Sequence, residues 1–308
     1  MGRQEECRAF APGSIGNLAC GFDVLGLALE GPGDEVIARR VPEPGLRITA
    51  IRGDAGRLSR KVSENTAGLA AQAVLDEIGS AEGVEIELRK GLPMAAGMGG
   101  SAASAVAAAV AVDGLLGSRL PQESLLYCAL AGEDHPDNAA PSLLGGLVLV
   151  PSWRPLRTIG IEVPRDLISV LVHPHMELKT EDARRILGNR VALSDAIAQW
   201  GNTAALMAGL FREDWELIAR SVEDRVAEPL RAPAVPGFQA VKDAALNAGA
   251  LAASLSGSGP SVFALCRGRE RARAAGERMV MAFRTAAGLD ADLIISTGRA
   301  PGARILSR

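Results

Sequence analysis

Aromatic side chains make up only 3% of the 308 residues. A core so poor in rings has to be built from Ala, Val, Leu and Gly, whose small side chains let helices and strands approach closely. Cysteine is also scarce. Cys7, Cys20, Cys128 and Cys266 include no C-x-x-C pair, so neither a zinc ribbon nor a redox dithiol is encoded, and reduced thiols are expected. No run of Lys and Arg exceeds two residues and the formal net charge is −3. Both argue against a broad basic face, so no nucleic-acid or membrane partner is expected. The longest apolar stretch, Ala102 to Val112, is too short to span a bilayer. The opening residues lack the apolar segment of a secretory signal, and a cytoplasmic location is expected. Finally, the chain has no Gly-Lys pair, which rules out a Walker A loop.

Against these absences stand 35 glycines, many gathered into three clusters. The most informative is Pro93-Met94-Ala95-Ala96-Gly97-Met98-Gly99-Gly100-Ser101-Ala102-Ala103. Its glycines let successive backbone N–H groups point into one cavity. The Ala-rich run Ser101 to Leu116 is expected to be a helix, whose N-terminus adds unpaired N–H donors and a positive dipole end. These are the requirements of a polyphosphate. A dinucleotide loop matches nominally at Gly97-x-Gly99-x-x-Ala102, but its context is wrong, because the loop after the expected strand Val84 to Leu88 is long and contains Pro93. A hydrolase reading stays open. Gly99-x-Ser101-x-Ala103 is close to a nucleophile elbow, with His173 and His175 downstream.

The second cluster runs from Ala11 through Asn17 to Asp23 and reads as a glycine-bearing loop. Asn17 and Asp23 could grip a polar substrate, or could cap a turn and a helix. The third, Ser254 to Ala264, contains Gly257-Ser258-Gly259-Pro260, richer in glycine than a hairpin needs, as expected where another backbone or a ligand comes close. Between them, Gly132-Glu133-Asp134-His135-Pro136-Asp137-Asn138 crowds three carboxylates, an imidazole and an amide into seven residues. Such a group could hold Mg2+, orient a hydroxyl or bind an ammonium. Thr180 reads as a helix N-cap, whereas Arg184 and Arg231 have no local partner and suit bidentate capture of a carboxylate.

Elsewhere the periodicity predicts strands over Val36–Arg40, Leu46–Ile51 and Leu147–Val150, and helices over Thr66–Ile78 and Gln122–Leu130. Pro151 to Pro164, with three prolines, reads as a crossover. Beyond it the expected order is strand, helices (Glu181–Leu187, Leu193–Phe211, Trp215–Val222, Gly237–Asn247), two strands, a helix (Glu270–Ala287) and a strand, a ferredoxin-like α+β layer.

Together these segments resemble the GHMP kinases, and among them the homoserine kinase family. Pro12 to Asp23 is similar to the family's P-x-S-x-x-N-L-x-x-G-F-D, Pro93 to Ala103 to its phosphate loop, and Ser256 to Ser261 to its S-G-S-G-P-[ST]. The narrower likeness rests on His135-Pro-Asp-Asn138, Lys179-Thr180 with Arg184, Glu228-Pro with Arg231, and Gly302-Ala-Arg-Ile, spread over nearly the whole chain. The resemblance implies an α+β, two-domain fold. A ribosomal protein S5 domain 2-like, ATP-binding domain would span 1–160 and a ferredoxin-like domain 161–308. It implies ATP as co-substrate with Mg2+, held on the metal side by Ser101 and Glu133. L-Homoserine is the implied acceptor, and the assembly a homodimer. Asn65 would lie by the adenine, and Pro93 to Ala103 would wrap the phosphates. Asn17, Asp23, Asn138, Thr180 and Arg231 would bind the amino acid, with Asp137, Arg184 and His135 as catalytic candidates. Two departures stand out: Gly100 replaces the first of two adjacent serines, and Ala95-Ala96 replaces Gly-Ser. A different hydroxyl acceptor, or a nucleotide-binding homologue with weakened catalysis, are the alternatives within the family.

Overall fold

The computed structural model describes residues 5–117, 119–178 and 185–308. Among them, β1 (Glu6–Gly16), β2 (Leu25–Val41), β3 (Gly45–Arg52), β4 (Gly83–Arg89), β5 (Leu147–Trp153), β6 (Leu156–Ile161) and β11 (Arg304–Ser307) form one sheet. Its main path runs β11-β1-β2-β4-β3, and the long β2 also pairs through Leu25–Leu27 with β5. Only β3 and β4 run parallel, and α1 (Thr66–Ile78) connects them. Asn65 caps α1, its side chain accepting from the N–H groups of Ala67 and Gly68, and Gly79 ends the helix in the left-handed region.

Helix α2 (Gly100–Leu115) is apolar all round, as a helix enclosed by other elements must be. Its alanines are buried against β1, β2 and α1, with α3 (Gln122–Ala129) and α4 (Pro136–Leu144) alongside. The predicted scarcity of rings thus has a structural outcome: alanine lets α2 lie close on the sheet, with its N-terminus at the end of the glycine loop.

The second sheet has the order β10-β7-β9-β8, all antiparallel, with β7 (Leu167–Pro174), β8 (Ala252–Leu255), β9 (Val262–Arg267) and β10 (Ala291–Thr297). With its helices this is the ferredoxin-like order expected from the sequence. α5 (Leu193–Arg212), α6 (Trp215–Ser221) and the short α7 (Glu228–Arg231) precede α8 (Phe238–Asn247), and α9 (Arg269–Ala287) follows β9. Strand β7 is buried on both faces. Ile168, Val170 and Val172 pack with Phe238, Met279 and Phe283 beneath α8 and α9. Leu167 and Leu171 join Ile15, Leu25, Leu27, Leu206 and Ile218, a core shared with the first sheet. The period of two along β7 therefore glues the two halves together.

Two expectations need correction. Pro151 to Pro164 is no simple crossover, because β5 and β6 form an antiparallel hairpin there. The first half of the Ala11–Asp23 loop is strand, since β1 continues to Gly16, and Asp23 sits in a turn with positive φ, capping no helix. His135 to Asn138 opens α4. The change of sheet falls between Ile161 and Leu167, and we propose the domain boundary there, just past the expected residue 160. β11 then returns from the second half to edge the first sheet.

Candidate active site

The three glycine clusters meet in space. The carbonyl groups of the 95–98 loop all accept hydrogen bonds from distant segments: Ala95 from Leu178 N (3.2 Å), Ala96 from Ser261 Oγ (2.6 Å), Gly97 from Ser256 Oγ (2.6 Å) and Met98 from Ser14 N (3.0 Å). In a trans peptide the N–H of the next residue points opposite to the carbonyl. Fixing four carbonyls therefore turns four consecutive N–H groups, Ala96 to Gly99, away from those partners. Helix α2 continues the donor array: Gly99, its N-cap, has positive φ and no side chain to cap the first-turn N–H groups. This is a ready anion site.

Two glycines show why no other residue serves here. A methyl at Gly97 (φ +70°) would lie 2.5 Å from the Ser256 carbonyl oxygen and 2.6 Å from that of Gly259. One at Gly26 would overlap the Asp137 carbonyl oxygen, so β2 without a side chain is what admits the start of α4. The first and third clusters are stitched by Gly257 N to Gly16 O (3.1 Å) and by Asn17 Nδ2 to Gly257 O (3.1 Å). Asn17 Oδ1 accepts from Asp23 N (3.0 Å), and Ser14 Oγ donates to Asn138 Oδ1 (3.0 Å).

A cavity of about 650 Å³ results. Its wall contains Asn65, every residue from Pro93 to Ser101, Glu133, His135, Asp137 and Asn138, together with Asn17, Asp23 and Arg231. Ala102 and Ala103 are buried behind it. Asn65 spends its side chain on the α1 cap and on Ser59 O (2.8 Å). Arg231 is buried, donates to Gly257 O (3.0 Å) and lies 5.4 Å from the Phe22 ring centre. Thr180, Arg184 and most of the helix expected over Glu181–Leu187 lie outside the described residues. The sequence reading did not single out Lys90, Arg57, Ser14 or Ser104, which also shape this region. Lys90 carried a signal, a cation immediately before the glycine loop; Arg57 carried none.

The electrostatics are unusual for carboxylates. Asp137 is buried, and burial with Asp23 and Glu133 nearby raises its pKa to about 7, although Asn17 N donates to it (3.2 Å). Its Oδ1 finds no hydrogen-bond partner among the described residues. Burial also raises Glu133, opposed by a hydrogen bond with Ser101 and by His135. Asp23, His135 and Asp137 offer ligand atoms within 4.8 Å of one another. The hydrolase reading fails on geometry: β4 ends at Arg89, so no strand runs into Ser101, and the His173 ring instead bonds Ser261 (3.2 Å).

The arrangement, an anion cradle that shares one cleft with a group of carboxylates and a buried arginine, is that of a small-molecule kinase. The chain matches the GHMP kinases N-terminal domain over residues 65–146 and the GHMP kinases C-terminal domain over residues 206–283. It is 45% identical to homoserine kinase of Chlorobaculum tepidum over 97% of both chains. Its identity to that of Xylella fastidiosa is 43% over 98% of this chain and 94% of the other. The crystal structure of homoserine kinase from Cytophaga hutchinsonii superposes with a TM-score of 0.96 at 44% identity, covering 99% of both chains. Mevalonate diphosphate decarboxylase from Staphylococcus aureus, 17% identical over 98% of both chains with a TM-score of 0.76, shares the fold. The chain belongs to the GHMP kinases and, within them, to the homoserine kinase family. It is an ATP-dependent phosphotransferase.

Two outcomes follow from this geometry. Gly97→Ala should raise the ATP KM by more than about tenfold, since strain and two carbonyl clashes deform the loop. Gly100→Ser should keep it, because a Cβ there meets nothing closer than Lys90 Nζ at 3.5 Å. Steady-state kinetics at saturating acceptor distinguish them, and complete inactivity of Gly100→Ser would contradict the loop geometry. Asp137 gives a pH-dependent stability. Its folded pKa is raised, so the cost of its charge is absent below the unfolded value near 4, grows to about pH 7, and stays constant above. Asp137→Asn should therefore raise the melting temperature of the ligand-free protein at pH 8 by several degrees, on the order of 2–4 kcal/mol, with little gain at pH 4.5. Calorimetry showing no gain at pH 8 would contradict the assignment.

Proposed function

We propose that this protein transfers the γ-phosphoryl group of ATP to the side-chain hydroxyl of L-homoserine, giving O-phospho-L-homoserine and ADP as a step towards threonine. The observation that carries the reading is a single cleft joining an uncapped helix N-terminus and glycine loop to Asp23, Asp137 and the buried Arg231. An anion site lies beside groups suited to both charges of an amino acid.

In this reading the N–H groups of Ala96 to Ser101 hold the phosphates, and Asn65 borders the adenine. Asp23 faces the substrate ammonium. Arg231 takes the carboxylate together with Arg184, with Thr180, Asn17, Asn138 and His135 around the acceptor. Catalysis is positioning plus charge neutralisation. The acceptor oxygen bonds to the γ-phosphorus, the bond to the bridging oxygen of ADP breaks, and the hydroxyl proton passes to Asp137. A carboxylate with a pKa near 7 and an unpartnered oxygen is suited to accept that proton at neutral pH. The hard oxygen donors of Glu133 and Ser101 fit Mg2+, whereas the Asp23–His135–Asp137 group includes an imidazole and suits the ammonium better. Mg2+ would neutralise charge on the phosphates.

The test is a coupled ADP-release assay with Mg-ATP, comparing L-homoserine with L-serine, L-threonine, mevalonate and galactose. Release confined to L-homoserine is expected; equal release with every acceptor, or none, would overturn the assignment. Arg231→Ala should raise the homoserine KM by about tenfold or more and leave the ATP KM within about twofold, as expected for loss of a charged hydrogen-bonding partner.

A homodimer in the cytoplasm belongs to the same proposal. Helix α5 presents Leu193, Ile197, Trp200 and Phe211 to solvent, and no described helix is long and apolar enough to cross a membrane. Light scattering should give twice the 31.9 kDa chain mass, and a value of one chain mass at micromolar concentration would remove the dimer.

A further inference from the structure

One buried ion pair ties both ends of the phosphate loop to the sheet. Asp34, on β2, is fully buried. Its Oδ1 accepts from Gly91 N (3.0 Å) and Leu92 N (3.2 Å), at the entrance of the loop. Its Oδ2 accepts from Ser104 Oγ (2.6 Å) and pairs with Lys90 Nζ. Lys90, its side chain only 3% exposed, also donates to Gly100 O (2.7 Å) and Ser104 Oγ (2.9 Å), where α2 begins. An ammonium has three N–H donors, and all three of these are used within the protein. Lys90 lines the cavity, yet it has no donor left for a phosphate. Its charge is balanced by Asp34, so a net positive field is not what it adds either.

We infer that Lys90, through Asp34 and Ser104, is a positioning residue that sets the direction of the phosphate cradle. The Gly100 carbonyl and the Ser101 N–H belong to one trans peptide and point in opposite directions. Drawing the Gly100 oxygen onto Lys90 therefore fixes the Ser101 N–H in the opposite direction. The Gly91 and Leu92 bonds to the same carboxylate fix the other end of the loop, so the donor array has two anchors on one rigid strand. The arrangement also accounts for tolerance of glycine at position 100, because the loop is held by backbone and by Lys90 without a side chain there.

This inference rests on the reading of the loop as the ATP phosphate site, and the test separates the two. Titration calorimetry with MgADP on the unaltered protein comes first: absence of binding would sink the nucleotide reading itself. The pair is then neutralised together, Lys90→Met with Asp34→Asn, so that no single buried charge is left behind. The double variant should keep its circular dichroism spectrum, raise the ATP KM about ten- to hundredfold and leave the homoserine KM within about twofold, the scale expected of misplaced binding groups. Folded protein with unchanged ATP KM would overturn the inference. Should the double variant not fold, Ser104→Ala decides on the same split, because it removes one partner of the pair and leaves both charges matched. An ATP KM raised about threefold or more supports the role, and an unchanged one overturns it.

Discussion

Everything at this site depends on the carbonyl oxygens of Ala95, Ala96, Gly97 and Met98 being bound from behind. A loop of glycine and alanine has no side chains with which to hold itself in one shape. Left alone it would sample many conformations, and ordering it around a ligand would cost affinity. Here the ordering is done in advance by serines and N–H groups from residues 14, 178, 256 and 261, the first on β1 and the others in the segments that follow β7 and join β8 to β9. The core shared by β7, β1 and β2 keeps those segments in register with one another. The apolar packing between the halves is thus what makes a polar cradle possible.

The carboxylates that line the same cleft work by a different balance. Asp137 and Glu133 are buried, and loss of solvent raises the proton affinity of both; Asp23 and Glu133 add to the rise at Asp137, whereas Ser101 and His135 oppose it at Glu133. A protein selected for stability alone would not bury carboxylates this way. The arrangement makes sense if a cation completes it, and the ammonium of an amino acid or the metal of a nucleotide complex is such a cation. Arg231, held by the Gly257 carbonyl and stacked near Phe22, is fixed at the same cleft. The third glycine cluster therefore supports the acceptor side as well as the phosphate side.

Much of this was legible in the sequence, and the reasons differ by element. Thr66–Ile78 is legible from its apolar periodicity, and the structure ends it where Asn65 caps it and Gly79 stops it. The ferredoxin-like half followed from alternating strands and long amphipathic helices. The end of β1, residues 11–16, reads as loop because Pro12 and Gly13 interrupt its pattern, while its pairing with β2 is a tertiary fact. α4 was hidden by Pro136 and Pro141 and by the polar residues of its first turn. The hairpin of β5 and β6 was hidden by its prolines. At the site, the glycine motifs and the cluster at 133–138 were visible as local composition. The Asp34–Lys90 pair was not, since its members are 56 residues apart and nothing in either neighbourhood predicts their contact.

The proposed reaction requires one cleft to hold a nucleotide's phosphates and an amino acid side by side. A crystal structure with L-homoserine and a non-hydrolysable ATP analogue tests it most directly. The γ-phosphate is expected on the N–H groups of the 96–101 loop, the acceptor carboxylate on Arg231, and the hydroxyl within reach of both the γ-phosphorus and Asp137. Phosphates bound away from that loop, or an amino acid bound away from Arg231 and Asp23, would contradict it.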